Sequence, residues 1–148
     1  MPIEIRRAIE VDLPRILQLY AQAGVNDGRV LALDAAAGIF RRFASYPLYH
    51  LYVATSEDVI VGTFELLVMH NLAHLGAPSA IVEDVCVDEQ LRGKGIGRAM
   101  MTFAMKVAAA AGCYKLALSS NLKRTGAHAF YESLGFDQHG ISFRVDLP

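Results

Sequence analysis

The chain has 148 residues, which suits one domain with a sizeable core. Hydrophobic residues make up 53% and charged residues 20%, and that balance excludes a disordered chain. Fourteen Lys and Arg stand against fifteen Asp and Glu, so no global basic field exists to gather nucleic acid.

The first element is a short strand, with Ile3 and Ile5 on one face and Glu4 and Arg6 on the other. Asp12 is placed as a helix cap, with Pro14 in the first turn, where its missing N–H costs nothing. Leu13, Ile16, Leu17 and Tyr20 follow at helical spacing. Residues 30–43, rich in Ala and Leu, predict a second helix. Residues 50–54 and 59–69 predict a hairpin, closed by the polar turn Ser56-Glu57-Asp58. Residues 71–79 hold Gly76 and Pro78 and read as a loop. A β-rich run follows over residues 80–87, in which Ile81, Val82, Val85 and Val87 surround Glu83 and Asp84.

After a glycine-rich turn comes a helix carrying Ile96, Met100, Phe103, Val107 and Ala111 as one stripe, ended by Gly112. Residues 114–118 predict a strand, residues 125–134 a helix ended by Gly135, and Phe136 with residues 141–145 the last strand or strands. Strands and helices thus alternate through a mixed α/β domain spanning residues 1–148, without repeat or linker.

Mean hydropathy is +0.30. The longest apolar stretch, residues 99–113, is interrupted by Lys106 and falls short of the roughly 18 residues that span a bilayer. The N-terminus carries Glu4, Arg6 and Arg7 where a secretory signal is apolar, so a cytoplasmic protein with no membrane partner is expected. Cys86 and Cys113 lie in apolar settings and read as buried thiols; a disulfide or a nucleophilic Cys86 is the alternative.

The stretch Arg92-Gly93-Lys94-Gly95-Ile96-Gly97-Arg98 is the most informative. Glycines bare the backbone N–H groups, the helix N-terminus adds partial positive charge, and three cations surround them, which suits phosphate. A plain strand-to-helix turn is the alternative. No G-x-x-x-x-G-K-[ST] string occurs, and the third glycine of G-x-G-x-x-G would fall on Arg98, so both common nucleotide loops fail on spacing.

Residues 92–97 do read as R-x-x-G-x-G, which resembles the pyrophosphate-binding motif of the GNAT-type N-acetyltransferases. Residues 81–88 resemble that family's fourth strand, and Ala127-His128-Ala129-Phe130-Tyr131 with Leu134-Gly135-Phe136 resembles its C-terminal signature. Many members carry Asn seven residues before the Tyr; here that position is Arg124 and Asn121 stands three residues earlier, as in a branch that includes aminoalkylphosphonate N-acetyltransferases.

The resemblance implies a mixed, largely antiparallel sheet flanked by helices. It implies transfer of an acetyl group from acetyl-CoA directly to an amine, with no metal. Residues 92–98 would hold the pyrophosphate. Val85, Cys86 and Val87 would pair with the pantetheine amides at a splayed strand edge, and the Val85 N–H would stabilise the oxyanion. Asn121 or Arg124 would meet the pantetheine arm, with Ala127 and Phe130 close to the cofactor. Glu83 would take the amine's proton through water, or only bind the ammonium, and Tyr131 would be the acid for the leaving thiolate. Strand alternation puts Glu83 and Asp84 on opposite faces unless a bulge intervenes, and Asp84 is read as a structural partner.

His70 and His74, four apart, suit a loop at the substrate mouth or solvated surface more than a metal. His128 is read as structural or exposed. Tyr46, Tyr49 and Tyr52 would line an acceptor pocket or simply pack. A small-molecule amine is the expected acceptor, since no spare domain is present to dock a macromolecule; an amine bearing an acidic group fits the resemblance. Acetylation of a protein or peptide, and a non-catalytic acyl-CoA sensor, are the alternatives. The family often forms homodimers.

Overall fold

A five-stranded sheet organises residues 1–117. Its strands lie in chain order: β1 (Glu4–Arg7), β2 (Tyr49–Ser56), β3 (Val59–Met69), β4 (Ser79–Val87) and β5 (Leu116–Ala117). The first four are antiparallel and β5 joins β4 in parallel, so the sheet is mixed and largely antiparallel, as expected. The computed structural model describes all 148 residues, which form two compact units, Met1–Ala117 and Leu118–Pro148. Glu57 and Asp58, at φ 50° and 63°, close the β2–β3 hairpin in the left-handed pair that matches strand twist.

Helices α1 (Leu13–Gln22) and α2 (Leu33–Arg42) cover one face of the sheet. Leu13, Ile16 and Leu19 of α1 and Ala36 and Ala37 of α2 pack there with Leu51, Val53, Ile60 and Cys86. Two helix starts differ from expectation. The Asp12 carboxylate does not cap α1: it accepts from the Ile9 N–H at 2.8 Å and from both Arg6 guanidinium nitrogens at 2.7 and 3.0 Å. The bidentate cation holds it on the preceding turn and keeps its pKa below the usual carboxylate range. Helix α2 begins at Leu33 rather than Val30. The chain arrives through left-handed residues at Gly24, Asn26, Asp27 and Gly28, and exposed Val30 and Leu31 have no packing to draw them into a helix.

Helix α3 (Ile96–Ala110) carries the glycine loop at its N-terminus. Its buried residues are Ile96, Met100, Met101, Ala104 and Ala108. The expected stripe is therefore rotated: Phe103 and Val107 are partly buried flanks and Ala111 is exposed at the C-terminal cap. Small Ala104 and Ala108 lie fully against the protein, and bulkier Phe103 reaches across to Tyr52 and Phe64 at ring-centroid distances of 5.2 and 6.4 Å. Gly62 of β3 permits close approach. A Cβ there would stand 2.7 Å from Met100 Sδ, 3.2 Å from the Cys86 carbonyl oxygen and 3.3 Å from Ile96 Cγ2. One missing side chain thus seats the first turn of α3 on the sheet.

Strand β5 is shorter than the expected 114–118, because its ladder with β4 has only two register pairs, Ala80↔Leu116 and Ile81↔Ala117. In residues 118–148 the ordered element is α4 (Thr125–Ser133), ended by Gly135 at φ 97°. Phe136 forms no strand; its N–H closes the helix end by donating to the Tyr131 carbonyl at 3.2 Å. Residues 141–145 join no ladder either. Cys86 and Cys113 form no disulfide, and no helix is long and apolar enough to cross a membrane.

Candidate active site

Strand β4 lies between the antiparallel ladder of β3 and the short parallel β5. Beyond Ile81 its β5-side edge has no sheet partner. The Asp88 N–H donates to the Val61 carbonyl at 2.9 Å, so main-chain groups at 88 turn toward β3. Alternation counted back from that bond turns the Val87 amide to the open edge, and Val85 lies in the irregular stretch between Cys86 and Glu83. Cys86 is opposite: it pairs with Thr63 and its side chain belongs to the core under α1 and α2. A solvent-facing nucleophilic Cys86 does not fit that position.

The chain then passes Asp88, whose carboxylate accepts from the Gln90 N–H at 3.0 Å and pairs with Arg15 of α1. Both interactions pull its pKa down, the Gln90 bond most. They fix the turn that delivers the glycine loop. Gly93 and Gly95 sit at φ 79° and 84°, a region costly for other residues, and a Cβ at either would meet nothing within 4 Å. Their conformation, not crowding, therefore calls for glycine. The first bond into α3 runs from the Ala99 N–H to the Gly95 carbonyl, and no side chain caps the helix. The N–H groups of Ile96, Gly97 and Arg98 have no helical acceptor. Arg92, Lys94 and Arg98 are exposed and engaged in no ion pair. Bare N–H donors, a helix dipole and three uncommitted cations fit a pyrophosphate.

The acidic end of β4 is built differently. Glu65 pairs with Glu83 and Thr63 with Cys86, so two steps on β3 match three on β4. This is a β-bulge, and Asp84 takes φ 51° within it. The bulge breaks the alternation that would have separated the two acids. Glu65 also pairs with Leu51, which places it on the α1/α2 face, and Glu83 shares that face by register. Asp84, in the bulge, is near enough to Glu65 to raise its pKa.

Glu65 was not singled out in the sequence, although it is the one charge in the apolar run of residues 59–69. Tyr49 Oη donates to its Oε2. Burial drives the Glu65 pKa up, the Tyr49 bond opposes this, and nearby Asp84 and Glu83 add to the rise, which reaches about 7. Glu83 is raised as well, first by burial and then by Asp84. Burial and the same acids push up the phenols of Tyr20 and Tyr49, so both remain protonated donors.

The three tyrosines divide. Tyr49 stacks on Phe43 at 4.6 Å and meets Tyr46 edge-on at 5.6 Å beside the acids. Tyr52 is core packing on the other face, stacked on Phe64 at 5.1 Å. His74 stacks on Tyr114 at 4.2 Å, and no three His, Cys, Asp or Glu side chains converge to hold a metal.

Residues 118–135 form the second set. Asn121 Oδ1 accepts from the Lys123 N–H at 2.9 Å, and its carbonyl accepts from the Arg124 N–H at 3.0 Å. His128 Nε2 lies 2.8 Å from that same carbonyl, a structural role. Arg124 stands at the N-cap of α4, exposed and without an ion pair. Ala127, Phe130 and Tyr131 are half-buried on α4, with the Tyr131 ring 5.1 Å from Phe130 and 5.7 Å from Phe136. Ser120 Oγ is the buried side-chain oxygen left without a partner, a signal the sequence alone did not carry.

A glycine loop with bare N–H donors and three exposed cations, at the end of an open strand edge and beside a bulge lined with acids, suits a phosphate-bearing ligand next to an amine. Residues 13–136 match the acetyltransferase (GNAT) family, and the chain belongs to it. It is an acetyl-transferring enzyme.

The chain is 36% identical to the glucosamine 6-phosphate N-acetyltransferase of Trypanosoma brucei brucei, over 98% of this chain and 96% of that protein. It is 28% identical to the aminoalkylphosphonate N-acetyltransferase of Salmonella typhimurium, over 99% and 94%. Among solved structures, a putative acetyltransferase from Agrobacterium tumefaciens superposes with a TM-score of 0.90 at 34% identity, covering 97% of this chain and 99% of that one.

Proposed function

We propose that this protein is a single-domain cytoplasmic N-acetyltransferase that uses acetyl-CoA to acetylate the primary amine of a small molecule, acting as a homodimer. The acceptor carries an acidic group, phosphate or phosphonate, beside its amine; the names of two full-length relatives support that class. The observation that carries the reading is the open edge of β4, which leads from the acid-lined bulge to the glycine loop.

Acetyl-CoA supplies the thioester carbonyl that the amine attacks. The N–H groups from Gly93 to Arg98, with Arg92, Lys94 and Arg98, hold its pyrophosphate. The Val85 and Val87 main chain and one of Asn121 or Arg124 hold the pantetheine arm, with Ala127 and Phe130 beside it. The Val85 N–H donates to the oxyanion, an interaction of about 3 kcal/mol in a dry site.

An alkylamine with a pKa near 10.4 arrives protonated, so its proton must leave before attack. Glu83 receives it through water, and its raised pKa brings it nearer to working pH as a base. Glu65 and Asp84 attract the ammonium and Tyr49 orients Glu65. Tyr131 donates a proton to the departing thiolate.

A panel of amines (amino sugar phosphates, aminophosphonates, polyamines, aminoglycosides and peptides) assayed for free CoA release tests this reading. Turnover is expected with the phosphate- or phosphonate-bearing amines, and Glu83→Gln abolishes most of it. Turnover confined to peptides, or full activity in Glu83→Gln, contradicts it.

A further inference from the structure

Arg15, Gln18 and Gln22 recur at spacings of three and four, so they share one side of α1. That side meets the chain where it leaves β4. The half-buried Arg15 guanidinium is held by three acceptors. Its Nε donates to the Ile60 carbonyl of β3 at 3.1 Å, one terminal nitrogen to Gln18 Oε1 at 3.3 Å, and the other to Asp88 Oδ2. Asp88 divides its carboxylate, since its Oδ1 accepts from the Gln90 N–H at 3.0 Å. Further along α1, Gln22 Oε1 accepts from the Glu89 N–H at 3.2 Å. One helix thus grips two consecutive residues, 88 and 89.

The short turn over Glu89–Leu91 runs straight into Arg92 and the glycine loop. The loop does little to hold itself. Arg92, Lys94 and Arg98 make no ion pair, and Gly93 and Gly95 have open space where a side chain would stand. Its place is therefore set from its two ends, by α3 after it and by the Asp88 turn before it. Backbone donors bind an anion tightly when they are already aimed, because ordering a loose loop opposes binding.

We propose that Arg15 and Gln22 are positioning residues for acetyl-CoA: from α1 they clamp the start of the glycine loop, through Asp88 and the Glu89 N–H, and keep its donors aimed at the pyrophosphate. They act through the turn and not on the ligand. The inference rests on the reading of residues 92–98 as the acetyl-CoA cradle.

Calorimetric titration of acetyl-CoA into the full chain tests this without reference to the acceptor. Arg15→Met keeps a long side chain and removes every donor; it is expected to raise the acetyl-CoA dissociation constant about tenfold. Arg15→Lys regains part of that loss, because an ammonium keeps the charge but not the forked geometry. Gln22→Ala removes one exposed bond and raises the constant about twofold. In an Asp88→Asn background, Arg15→Met costs less than it does in wild type, since both changes act along one route. Arg92→Ala/Lys94→Ala/Arg98→Ala marks the effect of losing the loop's own cations. Circular dichroism and urea unfolding follow the fold of each variant. If Arg15→Met does not fold, Arg15→Lys and Gln22→Ala carry the same test.

No binding by wild type, or unchanged binding by the three-cation variant, defeats the cradle reading and this inference with it. A weakened three-cation variant beside Arg15 and Gln22 variants that bind as wild type, with only their urea midpoints lowered, leaves the cradle standing and overturns the inference. The two residues then hold the fold alone. An equal effect of Arg15→Met in both backgrounds overturns the route through Asp88.

Discussion

The bulge of β4 and the loop beyond it handle charge in opposite ways. At the loop, three cations stand exposed around backbone donors that their own segment leaves unpaired. At the bulge, three carboxylates from two strands are drawn together, Glu65 half-buried and Glu83 and Asp84 exposed, and partial desolvation raises the pKa of Glu65 and Glu83. The loop keeps its donors and cations open to water, where an anion can reach them. The bulge gains basicity from partial desolvation and from like charges held close together. Strand β4 and the loop after it thus set a cluster of acids and a cluster of cations about ten residues apart in sequence.

The sharpest way to break this comparison is at the acidic end. Glu83→Gln should lower kcat/KM about 10²- to 10⁴-fold, the usual contribution of a positioned base, while acetyl-CoA binding stays unchanged. Steady-state kinetics alongside acetyl-CoA titration checks both halves. If the two fall together, Glu83 is needed for the site's shape and not for its chemistry.

The next effect is on what joins the two ends. Gly62→Ala brings a Cβ against Met100 Sδ, Ile96 and the Cys86 carbonyl. Overpacking here should cost about 1–3 kcal/mol. Met100 can swing aside but the carbonyl cannot, so urea unfolding should report a destabilised protein. An unchanged midpoint would mean that α3 has room to move off the sheet.

At the loop, Lys94→Ala or Arg98→Ala should raise KM for acetyl-CoA by roughly tenfold or less, since each removes one exposed charge–phosphate contact. The amine KM should not move, and added salt should shrink the effect. A change in the amine KM instead would assign these cations to the acceptor.

Glu65 gives the smallest effect and the most specific. Its folded pKa of about 7 lies above the ordinary value of 4.5. The folded state therefore binds the extra proton between those values, and stability falls as pH rises through that window. Glu65→Gln keeps an acceptor for Tyr49 and removes the buried charge. It should stabilise the protein at pH 8 by about 1 kcal/mol, discounted for partial exposure, with no gain at pH 4. That is roughly 2–4 °C in Tm for a chain of this length.

Legibility in the sequence follows the same division. The glycine loop is one contiguous segment, so its spacing, its cations and the helix after it could be read directly. The hairpin turn, β4 and the Tyr131 helix were equally local. The acidic cluster was not, because it depends on which residue of β3 faces which residue of β4. Period-two reasoning separated Glu83 from Asp84, and a single extra residue in the ladder reversed that. Glu65 and Tyr49 meet across the β2–β3 ladder, 16 positions apart. The stripe on α3 was rotated because small Ala104 and Ala108 pack where larger residues were expected. The alternation over residues 141–145 predicted a last strand, but they join no ladder, since a period-two pattern names no partner.

The central claim is that the loop holds acetyl-CoA and the acids do not. Thermal unfolding with and without acetyl-CoA tests it on wild type, on Arg92→Ala/Lys94→Ala/Arg98→Ala, and on Glu65→Gln/Glu83→Gln. Acetyl-CoA at 100 times its Kd should stabilise wild type by about 2.7 kcal/mol, a shift of several degrees. The loop variant should lose most of that shift and the acid variant should keep it. No shift in wild type, or a shift that survives loss of the three cations and vanishes with the two carboxylates, would contradict the account.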